Sequence, residues 1–276
     1  MRSDGPVVLA FPPFRGATRR LILLALGAGL AFFVLNLIIP GLAGLFYGLL
    51  SLHPDQATRL VWQFATYPFI PEGFLGLLFG ALSLWYFGSV LEDERGARWL
   101  GELFLVASIG GAILATLISL VFGRYIPVID PVGKSSNGLW PTVLALMLVY
   151  ARLHANESLT VNFIIRARAK YIVAGTLLIY LVFDIIGFKR FDALNTVCNC
   201  LCAWLFVQFA PHGGLRFAFS EGMYGLRNRY YRAKRRRAAK KFTVYMRKQG
   251  KDVSIDASGR YIGLDDEDPT DPRRMN

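Results

Sequence analysis

Trp62-Gln-Phe-Ala-Thr-Tyr-Pro-Phe69 leads into an apolar run, Phe74–Leu91, that closes on Trp85-Tyr-Phe-Gly88 and is followed by Glu92 and Gly96. Spacing by four places Gly88, Glu92 and Gly96 on one face of a single helix. Glycines there let another backbone approach closely. A carboxylate at the polar end of such a helix can accept hydrogen bonds from a neighbouring turn. A bilayer core about 30 Å thick needs about 20 apolar residues in helical form, and this run is nearly that long.

Working outward, five further stretches read the same way: Leu21–Ile39, Leu103–Phe122, Gly138–Leu153, Tyr171–Phe188 and Leu194–Phe209. The first is too long, and too weakly followed by small residues, for a cleaved leader. Composition agrees: the chain is 54% hydrophobic and only 18% charged, against about 25% charged in soluble domains. This argues against a wholly disordered or collagen-like chain and against a nucleic-acid-binding globule. The expectation is an all-α, polytopic membrane protein with six transmembrane helices. Gly41–Ile70 reads as an interfacial loop with one short amphipathic helix. In the loops, Lys and Arg number ten on the N-terminal side and five on the other, which predicts cytoplasmic N- and C-termini. The expected location is a cell (inner) membrane.

Past Pro211 the character changes. From His212 onward there are 16 basic and 8 acidic residues, most of the chain's surplus of +12. Arg232, Arg235, Arg236, Arg237, Lys240 and Lys241 interleave with Tyr230, Tyr231, Phe242 and Tyr245. A basic juxtamembrane helix of this kind gains about 1 kcal/mol per Lys or Arg from anionic lipid headgroups. Ribosome or RNA contact is the alternative partner. The expected organisation is therefore a cytoplasmic N-terminus over 1–20, a membrane bundle over 21–210, the basic helix over 211–250 and a disordered acidic tail over 251–276.

The Trp62–Phe69 and Gly88–Gly96 segments together resemble the rhomboid superfamily of six-helix intramembrane proteins. Its second span opens on Trp-Gln/Arg-x-x-Thr-Tyr-Pro-Phe and closes on Gly-x-x-x-Glu-x-x-x-Gly, so Trp62, Gly88, Glu92 and Gly96 correspond to the family's structural motif. The resemblance covers about residues 20–210 and implies a rhomboid-like bundle. In the active members a serine in a Gly-x-Ser-Gly motif is paired with a histidine in span six, and a His-x-x-x-Asn pair in span two holds the oxyanion.

Those groups are not recognisable here. Only His53, His154 and His212 exist, and none lies in span six, where Asn195 falls at the base position. An amide is not a general base. Gly76 and Gly80 occupy the two oxyanion positions. Aligning from the end of span four puts Trp140 over the serine; reading Gly133-Lys-Ser-Ser136 as the motif makes Ser135 the fallback nucleophile. A dyad rebuilt from Ser135 and His53 is the remaining serine–histidine option. The resemblance thus implies a catalytically inactive pseudoprotease that binds transmembrane client helices at the opening between spans two and five, lined by Gly76, Gly80, Trp140 and Asn195. An active serine endopeptidase with a displaced dyad and a ribosome-contacting scaffold are the alternatives.

The polar stripe Asn195, Asn199, Cys202 lies on one face of span six and reads as interhelical hydrogen bonding or as a docking groove. Cys198, Cys200 and Cys202 have poor metal geometry and read as packing residues. Asp184 reads as an interfacial partner of Lys189 or Arg190. No cofactor and no metal are expected.

Overall fold

The computed structural model describes residues 14–123, 125, 134–156, 158–161, 165–187, 189–210, 214, 224, 227–235, 237, 241, 244–245, 248, 254–255 and 261–262. It separates into two units, 1–215 and 216–276. The first is helical: α1 (Gly16–Ile38), α2 (Pro40–Leu50), a single turn α3 (Gln63–Thr66), α4 (Phe74–Arg95), α5 (Ala97–Leu105), α6 (Gly111–Phe122), α7 (Trp140–Leu153), α8 (Ala169–Ile186) and α9 (Arg190–Phe209). A π-helical segment, Val106–Gly110, joins α5 to α6 into one continuous path.

Among the described residues, four helical segments are long and apolar enough to cross a membrane: α1, α4, the α5–α6 path and α8. The sequence predicts six. Helix α7 has 14 residues, about 21 Å of rise, short of the hydrocarbon thickness. Ten of its 14 residues are buried, the largest share of any described helix, and it packs against α4, α8 and α9. Helix α9 has 20 residues but carries Asp192, Asn195 and Asn199 on its buried side, which lowers its apolar character.

The long linker expected over Gly41–Ile70 is more ordered than the sequence suggests. Pro40 opens α2, where its missing N–H costs nothing, and the helix runs to Leu50. Its last carbonyls, which have no intrahelical donor, are taken by the Trp62–Thr66 side chains. Trp62 Nε1 donates to Leu49 O at 3.0 Å, Gln63 Nε2 to Gly48 O at 3.3 Å and Thr66 Oγ1 to Leu50 O at 2.8 Å. Gln63 Oε1 also accepts from the His53 amide at 3.0 Å. The motif residues act as a C-terminal cap for α2 supplied from outside it.

The other half of the motif caps α1. Glu92, on α4, accepts from Ala17 N at 3.0 Å, Thr18 N at 2.8 Å and Thr18 Oγ1 at 2.7 Å. These are the orphan donors of a helix N-terminus, where a negative charge also meets the positive end of the helix dipole. Arg15 donates to Asp93 beside it at 2.9 Å. The cap explains why α1 begins at Gly16, before the apolar run. Gly16 sits at φ +63°, where a Cβ would strike the Glu92 carboxylate. Gly88 faces Thr18, and Gly96, at φ +90°, ends α4.

Two short antiparallel ladders interrupt the helical architecture. Residues 158–161 (β1) pair with 165–168 (β2) between α7 and α8, and 254–255 (β3) pair with 261–262 (β4) in the second unit. The rest of the expected acidic tail, and Arg236 and Lys240 of the basic cluster, lie outside the described residues. Arg232, Arg235, Arg237 and Lys241 are in helical conformation with exposed side chains.

Replacing Glu92 by Ala strands the buried Thr18 backbone donor and the half-buried Ala17 one and should cost about 1–3 kcal/mol. Thermal or SDS unfolding in detergent should show that loss, with Glu92→Gln falling between it and wild type. An unshifted Glu92→Ala transition would remove the cap from the structural account.

Candidate functional site

The ends of the bundle differ in chemistry. At the end where α4 finishes, ion pairs and caps dominate: His154 Nε2 lies 2.5 Å from Glu94 Oε1, and Trp99 Nε1 donates to Ala210 O at 2.9 Å. At the opposite end, the loop leading into α7 folds inward and brings polar side chains from distant segments together.

Ser136 is the centre of that arrangement. Its backbone pairs with Leu52 in an isolated antiparallel bridge, with N–O distances of 2.9 and 3.0 Å. Asn137 is held by Tyr47, whose hydroxyl donates to its Oδ1 at 2.8 Å. Gly138, at φ +94°, donates its amide to Tyr67 O at 3.0 Å. The positive φ turns the chain into α7. These contacts aim the Ser136 side chain at the first turns of α9, where its hydroxyl donates to Asp192 Oδ1 and accepts from Asn195 Nδ2 at 2.9 Å. Ser136 and Asp192 are 1% exposed and Asn195 is fully buried.

The residue facing Asn195 is therefore Ser136, not Ser135 or Trp140. Ser135 is only partly buried. The periodicity of α7 could not separate these residues, because all three precede or open the helix. Their placement depends on the Leu52 bridge, a contact between segments about 84 residues apart in sequence. Asp192 carries no signal in the sequence, because it lies before the apolar run of span six.

Trp140 stacks on Tyr180 of α8, ring centroids 6.1 Å apart and planes 29° from parallel. Gly76 lies beside the Trp140 indole and Gly80 against Leu139. The two glycines thus seat the start of α7 against α4. Beyond Trp140 opens a recess of about 420 Å³, lined by Glu72, Trp140, Tyr180, Phe183, Asp184 and Lys189 among others. Asp184 does not pair with Lys189 through its side chain. The Lys189 ammonium lies 3.5 Å from Glu72 Oε1, and the Asp184 contact is between its carbonyl and the Lys189 amide. Burial opposes the charge on Lys189, but Glu72, Asp192 and Asp184 outweigh it and hold the ammonium above its ordinary range.

Deeper in the bundle, the polar stripe of α9 is turned inward. Asn199 is fully buried; its amide donates to Ala107 O at 3.0 Å and Asn195 O at 3.2 Å, and accepts from the Tyr67 hydroxyl at 3.0 Å. Ala107 belongs to the π segment, a local widening that often accompanies side-chain insertion. Burial pushes the Tyr67 hydroxyl up to about 12, so it remains a neutral donor. Gly111 lets α9 approach, since a Cβ there would lie 2.6 Å from Asn199 Cα. Cys202 packs over Gly110. Among the described residues, no three His, Cys, Asp or Glu side chains could together hold a metal ion.

The two kinds of contact predict different costs. Tyr67→Phe removes the hydroxyl that meets the Asn199 side chain and Ser108 O and should cost about 1 kcal/mol. Gly111→Ala forces two backbones apart and should lower unfolding stability by more, about 1–3 kcal/mol. Equal unfolding midpoints for the two variants in detergent would contradict the close approach of α6 and α9.

A comparison with curated proteins gives no match to this chain. Residues 21–218, which span every helix from α1 to α9 apart from the first turn of α1, match the family described as "Eukaryotic integral membrane protein (DUF1751)", and the chain belongs to that family.

Proposed function

We propose that this protein is a catalytically inactive, rhomboid-like membrane protein that binds transmembrane client helices. In this reading α1, α4, α5–α6, α7, α8 and α9 are six spans with both termini cytoplasmic. Trp62, Gly88, Glu92 and Gly96 are the family's structural motif. The working surface is the opening between α4 and α8, into which Trp140 projects.

The observation that carries the reading is the environment of Ser136. A serine nucleophile must face its substrate and hand its proton to a base that can pass it on to the leaving group. Here the hydroxyl is 1% exposed, and an Asn amide donates to its oxygen. Such an amide cannot accept a proton. The Ser136 proton is engaged by Asp192. The described histidines are committed elsewhere: His53 Nδ1 contacts Ser51 O and His154 pairs with Glu94. His212 lies outside the described residues. Gly76 and Gly80 have no side chains to hold an oxyanion, and their space serves Trp140 and Leu139. The arrangement suits a structural clasp between the α7 entry loop and α9.

The test is fluorophosphonate labelling and cleavage of a model transmembrane substrate by the reconstituted protein. Wild type, Ser135→Ala and Ser136→Ala should all give neither labelling nor cleavage. Labelling that depends on Ser136 would overturn the reading in favour of a serine endopeptidase using Asp192.

The basic segment is assigned to the membrane surface. Its anionic-lipid contacts are Arg232, Arg235, Arg236, Arg237, Lys240 and Lys241, each contributing about 1 kcal/mol, or roughly fivefold. A fluorophore at position 245 of the full chain should lie against the bilayer in phosphatidylserine vesicles and move away when the six residues are changed to Gln. Displacement by added RNA would transfer the segment to a ribosomal or other RNA partner.

A further inference from the structure

Of the described polar groups, the Asp184 carboxylate is the least accounted for. The residue is 6% exposed, lines the recess beside Trp140, and its Oδ2 has no hydrogen-bond partner. An isolated buried carboxylate is costly unless a proton or a cation meets it. The nearest ammonium, Lys189, is already engaged with Glu72. Asp192 lies behind the lining and accepts from the Tyr180 hydroxyl at 3.4 Å. Two carboxylates, Asp184 and Glu72, therefore line the recess against one ammonium, Lys189.

The walls suit the same kind of occupant. Trp140 and Tyr180 form a stacked aromatic pair in its wall, and an aromatic face attracts a cation within about 6 Å of its centre. Phe183 and Ile179 are largely exposed on α8 and offer an apolar path for an aliphatic stem. Two carboxylates and two aromatic rings in one lining, with an apolar approach from α8, match a long side chain that carries its charge at the tip. A zwitterionic lipid headgroup fits less well, because its phosphate would enter a site with excess negative charge.

We propose that the recess between the start of α7 and α8 binds the Lys or Arg side chain of a transmembrane client helix, with Asp184 and Glu72 receiving its charge and Trp140 and Tyr180 its stem. This rests on the client-binding reading and names the feature by which a client is chosen. Helices with a basic residue close to that end of the bilayer would be retained, a selection that apolar contact alone does not provide.

The test uses the full chain with a photocrosslinking amino acid at position 179, in phosphatidylglycerol vesicles. The probes are two single-span Leu/Ala helices, alike except for Arg or Gln one turn from the end nearest the recess. The Arg helix should crosslink about tenfold more strongly than the Gln helix, the size of a charge-assisted hydrogen bond. Asp184→Asn and Glu72→Gln should each reduce that preference. Equal crosslinking of the two helices would overturn the proposal while leaving client binding intact. Crosslinking of neither would overturn the client reading itself. Loss of the Arg preference when phosphatidylcholine replaces phosphatidylglycerol would assign the recess to a lipid headgroup instead. The comparison of helices on the unmutated protein holds even if a variant fails to fold.

Discussion

The carboxylate of Glu92 joins two helix ends about 75 residues apart in sequence, and the bundle is organised from that joint. Where water is scarce, backbone N–H groups at a helix start must find partners within the protein. Glu92 supplies two of them and the Thr18 hydroxyl as well. With α1 tied to α4 at this level, Gly88 lies against Thr18 and Gly29 against Leu77, so the two helices stay in contact along their length. The left-handed backbone at Gly16 is what allows the carboxylate to come so close.

The opposite end solves the same problem differently. The side chains of Trp62, Gln63 and Thr66 satisfy the carbonyls that α2 leaves open, and Tyr67 continues into the interior to meet Asn199. Its own carbonyl receives the amide of Gly138. One eight-residue stretch thus caps a helix, anchors the α7 entry loop and reaches α9. Ser136, Asp192 and Asn195 complete the clasp. Their mutual satisfaction contrasts with Asp184, whose Oδ2 stays unpartnered beside a recess. In a packed apolar bundle, satisfied polar groups specify geometry, whereas an unsatisfied one awaits a ligand or a proton.

Much of the helical frame could be read from the chain. Apolar runs locate α4 and α8 to within a few residues, and the run Leu103–Phe122 ends with α6 but begins inside α5. The spacing of Gly88 and Glu92 marks the contact with α1 and its carboxylate acceptor, whereas Gly96, with open space beside it at φ +90°, ends α4. Helix α2 was less visible, because its Gly and Pro content resembles a loop until the Trp62–Thr66 cap is in place. The β1–β2 hairpin has no strong alternation to announce it. The apolar run begins four residues after α9 does, since Asp192 looks like a loop residue unless Ser136 and Tyr180 are there to receive it.

Hydrophobic length and helical periodicity depend only on neighbours along the chain, so membrane character, helical class and most span positions follow from the residues alone. The polar cluster does not. Ser135, Ser136 and Trp140 are nearly equivalent in sequence, and the choice among them is made by the Leu52 bridge and the turn at Gly138. Likewise, whether Asp184 pairs with Lys189 depends on Glu72 reaching that ammonium first. Such outcomes are competitions for partners among segments far apart in sequence, and they are settled only when the helices pack.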